Sequence, residues 1–319
     1  MRHLITGVAG FIGSHLADAL LAAGDTVAGV DDFFLGKPAH LAAARQHPGF
    51  SFLEADVSRP VEAVAAFRAL ANGAAPDIVW HLAANSDIAA GAADPAVDFS
   101  RTLGTAFATV EAARAIGART VAFASTAAVY GESDRVLTEE TGPLLPISNY
   151  GAAKLGGEAW LSAAAETCLD RVWIFRFPNV VGPRATHGAL FDFAARLASR
   201  PAALTVLGDG TQTKPCLHVG EVIEAMRFIV ANATDRRNLY NIGPDGEGTS
   251  VRFMAEAMIA RMAPGAAIAY GGGDRGWVGD VPRFAYSTRR LAALGWRPTL
   301  SSDAAVLRAA GELAAEARP

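Results

Sequence analysis

The stretch TGVAGFIGSHLADAL, residues 6–20, limits what this chain can fold into more than any other. Gly7, Gly10 and Gly13 follow the short apolar run HLIT and open an amphipathic stretch that predicts a helix from about Phe11 to Gly24. Between a strand and a helix, three glycines at this spacing have distinct uses. The first permits a tight turn, the second lets a pyrophosphate approach the backbone, and the third lets the helix lie close on the strand. Amides at the helix start, around Phe11 and Ile12, then face phosphate oxygens.

The following segments repeat the same rhythm. TVAGV, FSFLEA, DIVWHLA, RTVAFAS and RVWIFRF read as strands, and they alternate with helical stretches near 38–47, 60–72, Pro95–Gly117 and around Tyr150. Strands separated by crossover helices imply a parallel, doubly wound α/β sheet of the Rossmann type. After Phe177 the rhythm loosens, with helices predicted near 189–200, 219–232, 250–262 and 301–317. Residues 1–177 are therefore expected to form a dinucleotide-binding domain, joined by segments near 215–242. Residues 178–319 are expected to form a smaller, discontinuous substrate domain whose C-terminal stretch GELAAEARP is a fraying surface helix.

The second strand ends in GVDDF, with Asp31 eighteen residues beyond Gly13. A carboxylate there accepts hydrogen bonds from both hydroxyls of an adenosine ribose and repels a 2′-phosphate, which points to NAD rather than NADP. Asp56, after the third strand, is placed to meet the adenine edge, although turn formation accounts for it nearly as well.

A formal charge of −4 gives no basic surface for a nucleic acid. No apolar run reaches the roughly 18–20 residues that span a bilayer, and no leader pattern precedes the first strand. Cys168 and Cys216 belong to no metal or redox spacing, and no histidine pair has a metal-ligand spacing, so His187 and His218 are expected to be structural. A cytoplasmic location and no metal are the expectations. Only three of the basic residues are lysines: Lys37, Lys154 and Lys214.

Tyr150 and Lys154, four apart, share one face of a helix. Spacing alone describes a buried tyrosine beside a lysine whose head reaches water as readily as it describes a proton-transfer pair. However, Gly7, Gly10 and Gly13, HLAA at 81–84, STAAVYG at 125–131 and YGAAK at 150–154 together resemble the extended short-chain dehydrogenase/reductase family. FRFPNVVGPR at 175–184 and GDGTQTKPCLHV at 208–219 resemble its nucleotide-sugar-modifying members. HGALFDF at 187–193 and RGWVGDV at 275–281 resemble its UDP-galactose 4-epimerases.

That resemblance implies Tyr150 as base, Lys154 holding the cofactor ribose and lowering the tyrosine pKa, and Thr126 bonding the reacting hydroxyl, with Ser125 beside it as an alternative. It implies Asp32, Val57, Leu82, Ala83, Ala84 and Phe177 along the cofactor. Ser86 and Asn179 fall to the sugar nucleotide, and Lys214 and Arg275 to its diphosphate. It further implies NAD as cofactor, a UDP-sugar as substrate, inversion at C4 through a keto-sugar, and a homodimer built from helices near 95–117 and 148–168. Related dehydratases and decarboxylases place an acid just after the Ser or Thr, whereas this chain has Ala127 and Ala128. The chain departs from the epimerase pattern at Asp87, Pro215, Cys216 and the pair Gly220 and Glu221, which suggests an altered substrate.

Overall fold

Apolar side chains alternate along successive strands and so decide the architecture. Leu4, Val79, Val121, Phe123, Val172 and Ile174 enter one buried layer. Their neighbours Ile5, Trp80, Ala122, Trp173 and Phe175 enter the other. Strands buried on both faces need helices on both sides, and that arrangement suits a parallel sheet. The computed structural model, which describes residues 1–244, 246, 248–276, 281, 283–285 and 287–317, has this doubly wound form.

The strands are β1 (Arg2–Thr6), β2 (Thr26–Asp31), β3 (Phe50–Glu54), β4 (Ile78–His81), β5 (Thr120–Thr126) and β6 (Arg171–Phe177). With the edge strand Arg237–Asn241 first, their order is Arg237–Asn241, β6, β5, β4, β1, β2, β3. Every pairing is parallel, for example His3 opposite Ile78 and Thr6 opposite His81 between β1 and β4. The order reverses between β1 and β4, which opens a crevice at the carboxyl ends of the strands. Helices Phe11–Ala22 and Val219–Asn232 cover one face. Pro60–Ala71, Thr105–Ala115 and Asn149–Thr167 cover the other. The fully buried Ala106, Ala112 and Ala113 let that second layer lie close.

A third core is built from helices Ala189–Ser199, Val251–Met262 and Ser302–Glu316 with the parallel pair Ala203–Val206 and Ala267–Tyr270. Phe11, the first residue of the first helix, packs into this core and couples the glycine loop to it. Among the described residues, no helix is long and apolar enough to cross a membrane.

Three local expectations are corrected. The stretch 38–47 is two short 3-10 turns, Pro38–Leu41 and Ala44–Gln46, because Pro38 and its tight neighbours favour turns over a full helix. The long helix from Pro95 runs to Ala115 but contains a π-helical turn, Phe99–Gly104, and is preceded by an unforeseen helix, Ile88–Ala93, capped by the Asp87 carboxylate. The C-terminal helix is a core element: Ala309, Ala310, Leu313 and Ala314 are buried. It is anchored by Glu312 against the His218 Nε2–H at 2.8 Å. Leu313→Ala is expected to cost about 2–5 kcal/mol in urea unfolding; an unchanged midpoint would return this helix to the surface.

Candidate active site

A cavity of about 830 Å³ lies along the carboxyl ends of the strands, between the sheet and the third core. At its base is the glycine loop. Gly7 has φ +71°, and a β-carbon there would sit 2.7 Å from the Ala83 amide nitrogen. One on Gly13 would sit 2.1 Å from the Gly7 carbonyl oxygen, so the helix touches the turn only because that position is bare. No side chain caps the helix start, leaving its first amides for an anion. Gly10, Phe11 and Ile12 line the cavity beside them.

At the end of β2, Asp31 is buried, accepting the Ala9 amide at 2.9 Å and the Phe33 amide at 2.8 Å. Burial raises its pKa and the two amides oppose the shift. Each oxygen keeps a lone pair for a ribose hydroxyl. Asp32, Asp56, Val57, Leu82, Ala83, Ala84 and Phe177 all line the same cavity. The Asp32 and Asp56 carboxylates are both held by Arg101.

The helix Asn149–Thr167 is set by the Ser148 side chain, which accepts the Gly151 amide at 3.1 Å. It lies so close on β5 that a β-carbon on Gly157 would meet the Phe123 ring at 2.9 Å. This contact brings Tyr150 and Lys154 onto the cavity wall beside Thr126 at the end of β5. The Thr126 hydroxyl oxygen accepts the Ala128 amide at 3.1 Å, and its side chain shares the cavity wall with the Tyr150 phenol. Lys154, 3% exposed, donates to the Ala124 carbonyl at 2.6 Å and sits 4.8 Å from the Phe123 ring centroid.

The surroundings shift the ionisation of both members of this pair. Enclosure of the hydroxyl raises the Tyr150 pKa, the Asp98 charge raises it further, and the Thr126 hydroxyl opposes them. Burial lowers Lys154 to about 7, against the charges of Glu158 and Asp98. Burial disfavours the phenolate and the ammonium alike, and it is the largest cause at both positions.

Behind them lies a network that sequence reasoning missed. Glu158, one turn beyond Lys154, forms a buried bidentate pair with Arg176 at 2.9 and 2.5 Å and accepts a short hydrogen bond from Ser125. The i, i+4, i+8 spacing of Tyr150, Lys154 and Glu158 was the available signal. Ser125 accordingly directs its hydroxyl to Glu158, which leaves Thr126 as the hydroxyl facing the phenol.

The remaining candidates divide. Ser86 lines the cavity with its hydroxyl 3.3 Å from Nδ1 of His187, which is itself on the wall although a structural role was expected. His218 has the expected structural role, its Nδ1 accepting the Gly220 amide. Asn179 and Lys214 line the cavity, with the Asn179 amide 3.4 Å from the Pro215 carbonyl and the Lys214 ammonium 2.6 Å from the Val281 carbonyl. Arg275 is outside the lining residues and pairs with Glu132 at 2.6 Å, both about half exposed. Of RGWVGDV, residues 277–280 lie outside the described residues. Cys216 is buried and pushed up to about 12, so it remains a thiol. Glu221 accepts the Thr299 and Leu300 amides at 2.6 and 3.1 Å, a structural use.

Residues 3–243 match the NAD dependent epimerase/dehydratase family model. The chain belongs to that family. It is an extended short-chain dehydrogenase/reductase with NAD as cofactor. It is 33% identical to the UDP-glucose 4-epimerase of Mycolicibacterium smegmatis, over 94% of this chain and 95% of that one. It superposes on the Thermus thermophilus UDP-glucose 4-epimerase complex with NAD with a TM-score of 0.85 and 30% identity, covering 98% of this chain and 99% of that one. UDP-glucuronic acid decarboxylase 2 of Arabidopsis thaliana is 29% identical over 94% of this chain and 65% of the relative.

The cavity fits the family's dinucleotide: bare glycines and open amides face a pyrophosphate, and Asp31 stands where a ribose ends. Within this family site the charge of Glu158 raises the Lys154 pKa more than that of Asp98 does. Glu158→Gln is expected to lower the Lys154 pKa from about 7, confining its charged form to lower pH. If turnover needs that charge, the alkaline limb of kcat/KM against pH moves down by on the order of one unit. Leaving Arg176 buried without its partner also costs roughly 3 kcal/mol. An unmoved pH limb would detach Glu158 from Lys154.

Proposed function

We propose that the protein epimerises a nucleotide-diphosphate sugar at C4, of the UDP-glucose and UDP-galactose type, with Tyr150 as base. The observation that carries this reading is the convergence of Thr126, Tyr150 and Lys154 on one wall of the dinucleotide cavity. When bound, NAD supplies the hydride acceptor and donor and places a positive ring near the phenol. Tyr150 takes the proton from the sugar hydroxyl as that carbon becomes a keto carbon, and returns it to the same oxygen when the carbon is reduced from its opposite face. Thr126 orients the reacting oxygen, because its own oxygen is occupied by the Ala128 amide and its proton is left to donate. Lys154 fixes the ribose with the ammonium hydrogens that Ala124 does not take.

Residues 178–319, apart from the segments near 215–242 that return to the sheet, are assigned the sugar-nucleotide side, with Asn179 toward the sugar nucleotide, Lys214 toward its diphosphate and Arg275 reaching it by leaving Glu132. Uridine is favoured by the names of the relatives. Ala127 and Ala128 follow Thr126 where the acid-dependent relatives would need a carboxylate, which supports simple inversion. Asp87 and Asp192 on the cavity wall favour a neutral sugar over a uronate, whose charge they would repel.

Incubation with UDP-galactose or UDP-glucose alone, without added cofactor, is expected to reach one common ratio by proton NMR from either side. Tyr150→Phe should lower the rate by about 10²–10⁴-fold with bound NAD unchanged. No conversion by NAD-loaded protein would reject these sugars, and full activity in the variant would remove Tyr150 from its role.

We also propose a homodimer through the helices near 95–115 and 149–167. They carry the exposed aromatics Phe99 (70%) and Trp160 (45%), the latter edge-on to Phe107 at 5.0 Å between centroids. Sedimentation at micromolar concentration should give a dimer that Trp160→Glu dissociates; a wild-type monomer would contradict this.

A further inference from the structure

Arg101 belongs to none of the motifs that identify the family, yet it joins three separate elements at the adenosine end of the cavity. It lies within the π-helical turn Phe99–Gly104. The turn is fixed against the end of β4 by Thr102, whose hydroxyl oxygen accepts the Asn85 amide at 3.2 Å. π-turns recur where a helix must aim a functional side chain. From this one the guanidinium makes a short contact with Asp32, just beyond β2, and reaches Asp56 Oδ1, just beyond β3, at 3.1 Å. Its central carbon lies 4.7 Å from the centroid of the Phe34 ring, itself half exposed.

Both carboxylates are oriented before they meet Arg101: Asp32 accepts the Phe34 amide at 3.1 Å and Asp56 accepts the Ser58 amide at 2.8 Å. All three charged side chains are about a quarter exposed, so the pairs are only partly screened by solvent. Asp32, Phe34, Asp56 and Arg101 all line the cavity that Asp31 closes at this end.

We infer that Arg101 is a cofactor-retention residue, joining Asp32 to Asp56 at the adenosine end so that NAD stays in place through complete turnovers. An enzyme with no net redox change needs this. If the cofactor left while the sugar was oxidised, protein and keto-sugar would both be stranded, so selection acts on the rate of departure more than on association. The inference rests on the NAD site and is independent of which sugar is turned over.

The test is the exchange of bound NAD for isotopically labelled NAD in the saturated protein, followed by mass spectrometry of the released dinucleotide. Arg101→Ala is expected to exchange at least about tenfold faster than wild type, as removal of one charged hydrogen-bonding partner implies. Arg101→Lys should fall between them, because an ammonium can hold one carboxylate at a time. Leu204→Ala, destabilised in the third core at a position outside the cavity lining, is expected to exchange at the wild-type rate. Equal rates in wild type and Arg101→Ala would overturn the inference. So would equal acceleration in Leu204→Ala, which would mark general loosening. Should Arg101→Ala fail to fold, Arg101→Lys and Asp56→Asn decide, and unchanged exchange in both would overturn it.

Discussion

A buried ammonium group organises this site. Lys154 sits on the helix Asn149–Thr167 with 3% of its surface exposed, and an isolated charge in that position would be strongly unfavourable. The Ala124 carbonyl, the Phe123 ring face and the charges of Glu158 and Asp98 offset part of that cost. The remainder shows as a pKa near 7, which leaves the lysine able to gain or lose its proton at working pH. β5 has to deliver Ala124 and Thr126 together, and the helix has to lie close enough on it for Lys154 to reach. The bare Gly157 against Phe123 permits that approach. Glu158 is in turn held in place by its buried bidentate pair with Arg176 on β6, so the sheet helps to position the carboxylate beside the lysine.

The same economy governs the other end of the cavity. The glycine loop offers amides and no side chains, so it recognises phosphate charge without adding bulk. Selectivity for the dinucleotide then falls to carboxylates at the ends of β2 and β3. Arg101 pairs with Asp32 and Asp56, while Asp31 is steadied by two backbone amides, which supports the proposed place of Asp31 at the ribose.

Much of this was legible in the sequence because it depends on local pattern. Alternating apolar residues gave the strands, and the glycine spacing gave the turn and the helix start. What escaped depends on partners distant along the chain. Arg101 meets acids 69 and 45 residues away, and nothing in FSRTLG announces a π-turn. The C-terminal helix looked like a surface element because its alanines carry little hydrophobic signal until Met254, Met258 and Leu197 close over the same core. Arg275 has the residue type that binds a diphosphate, but Glu132 holds it at the rim. The burial of the phenol was out of reach for a related reason: spacing shows that Lys154 is near, whereas desolvation depends on everything else nearby.

The central claim is that one carbon of the sugar is oxidised and reduced again without leaving the protein. Its most direct measurement follows UDP-galactose carrying deuterium at C4 in ordinary water. The account predicts that the UDP-glucose formed keeps its deuterium at C4 through many turnovers. Loss of the label to solvent during interconversion would contradict it.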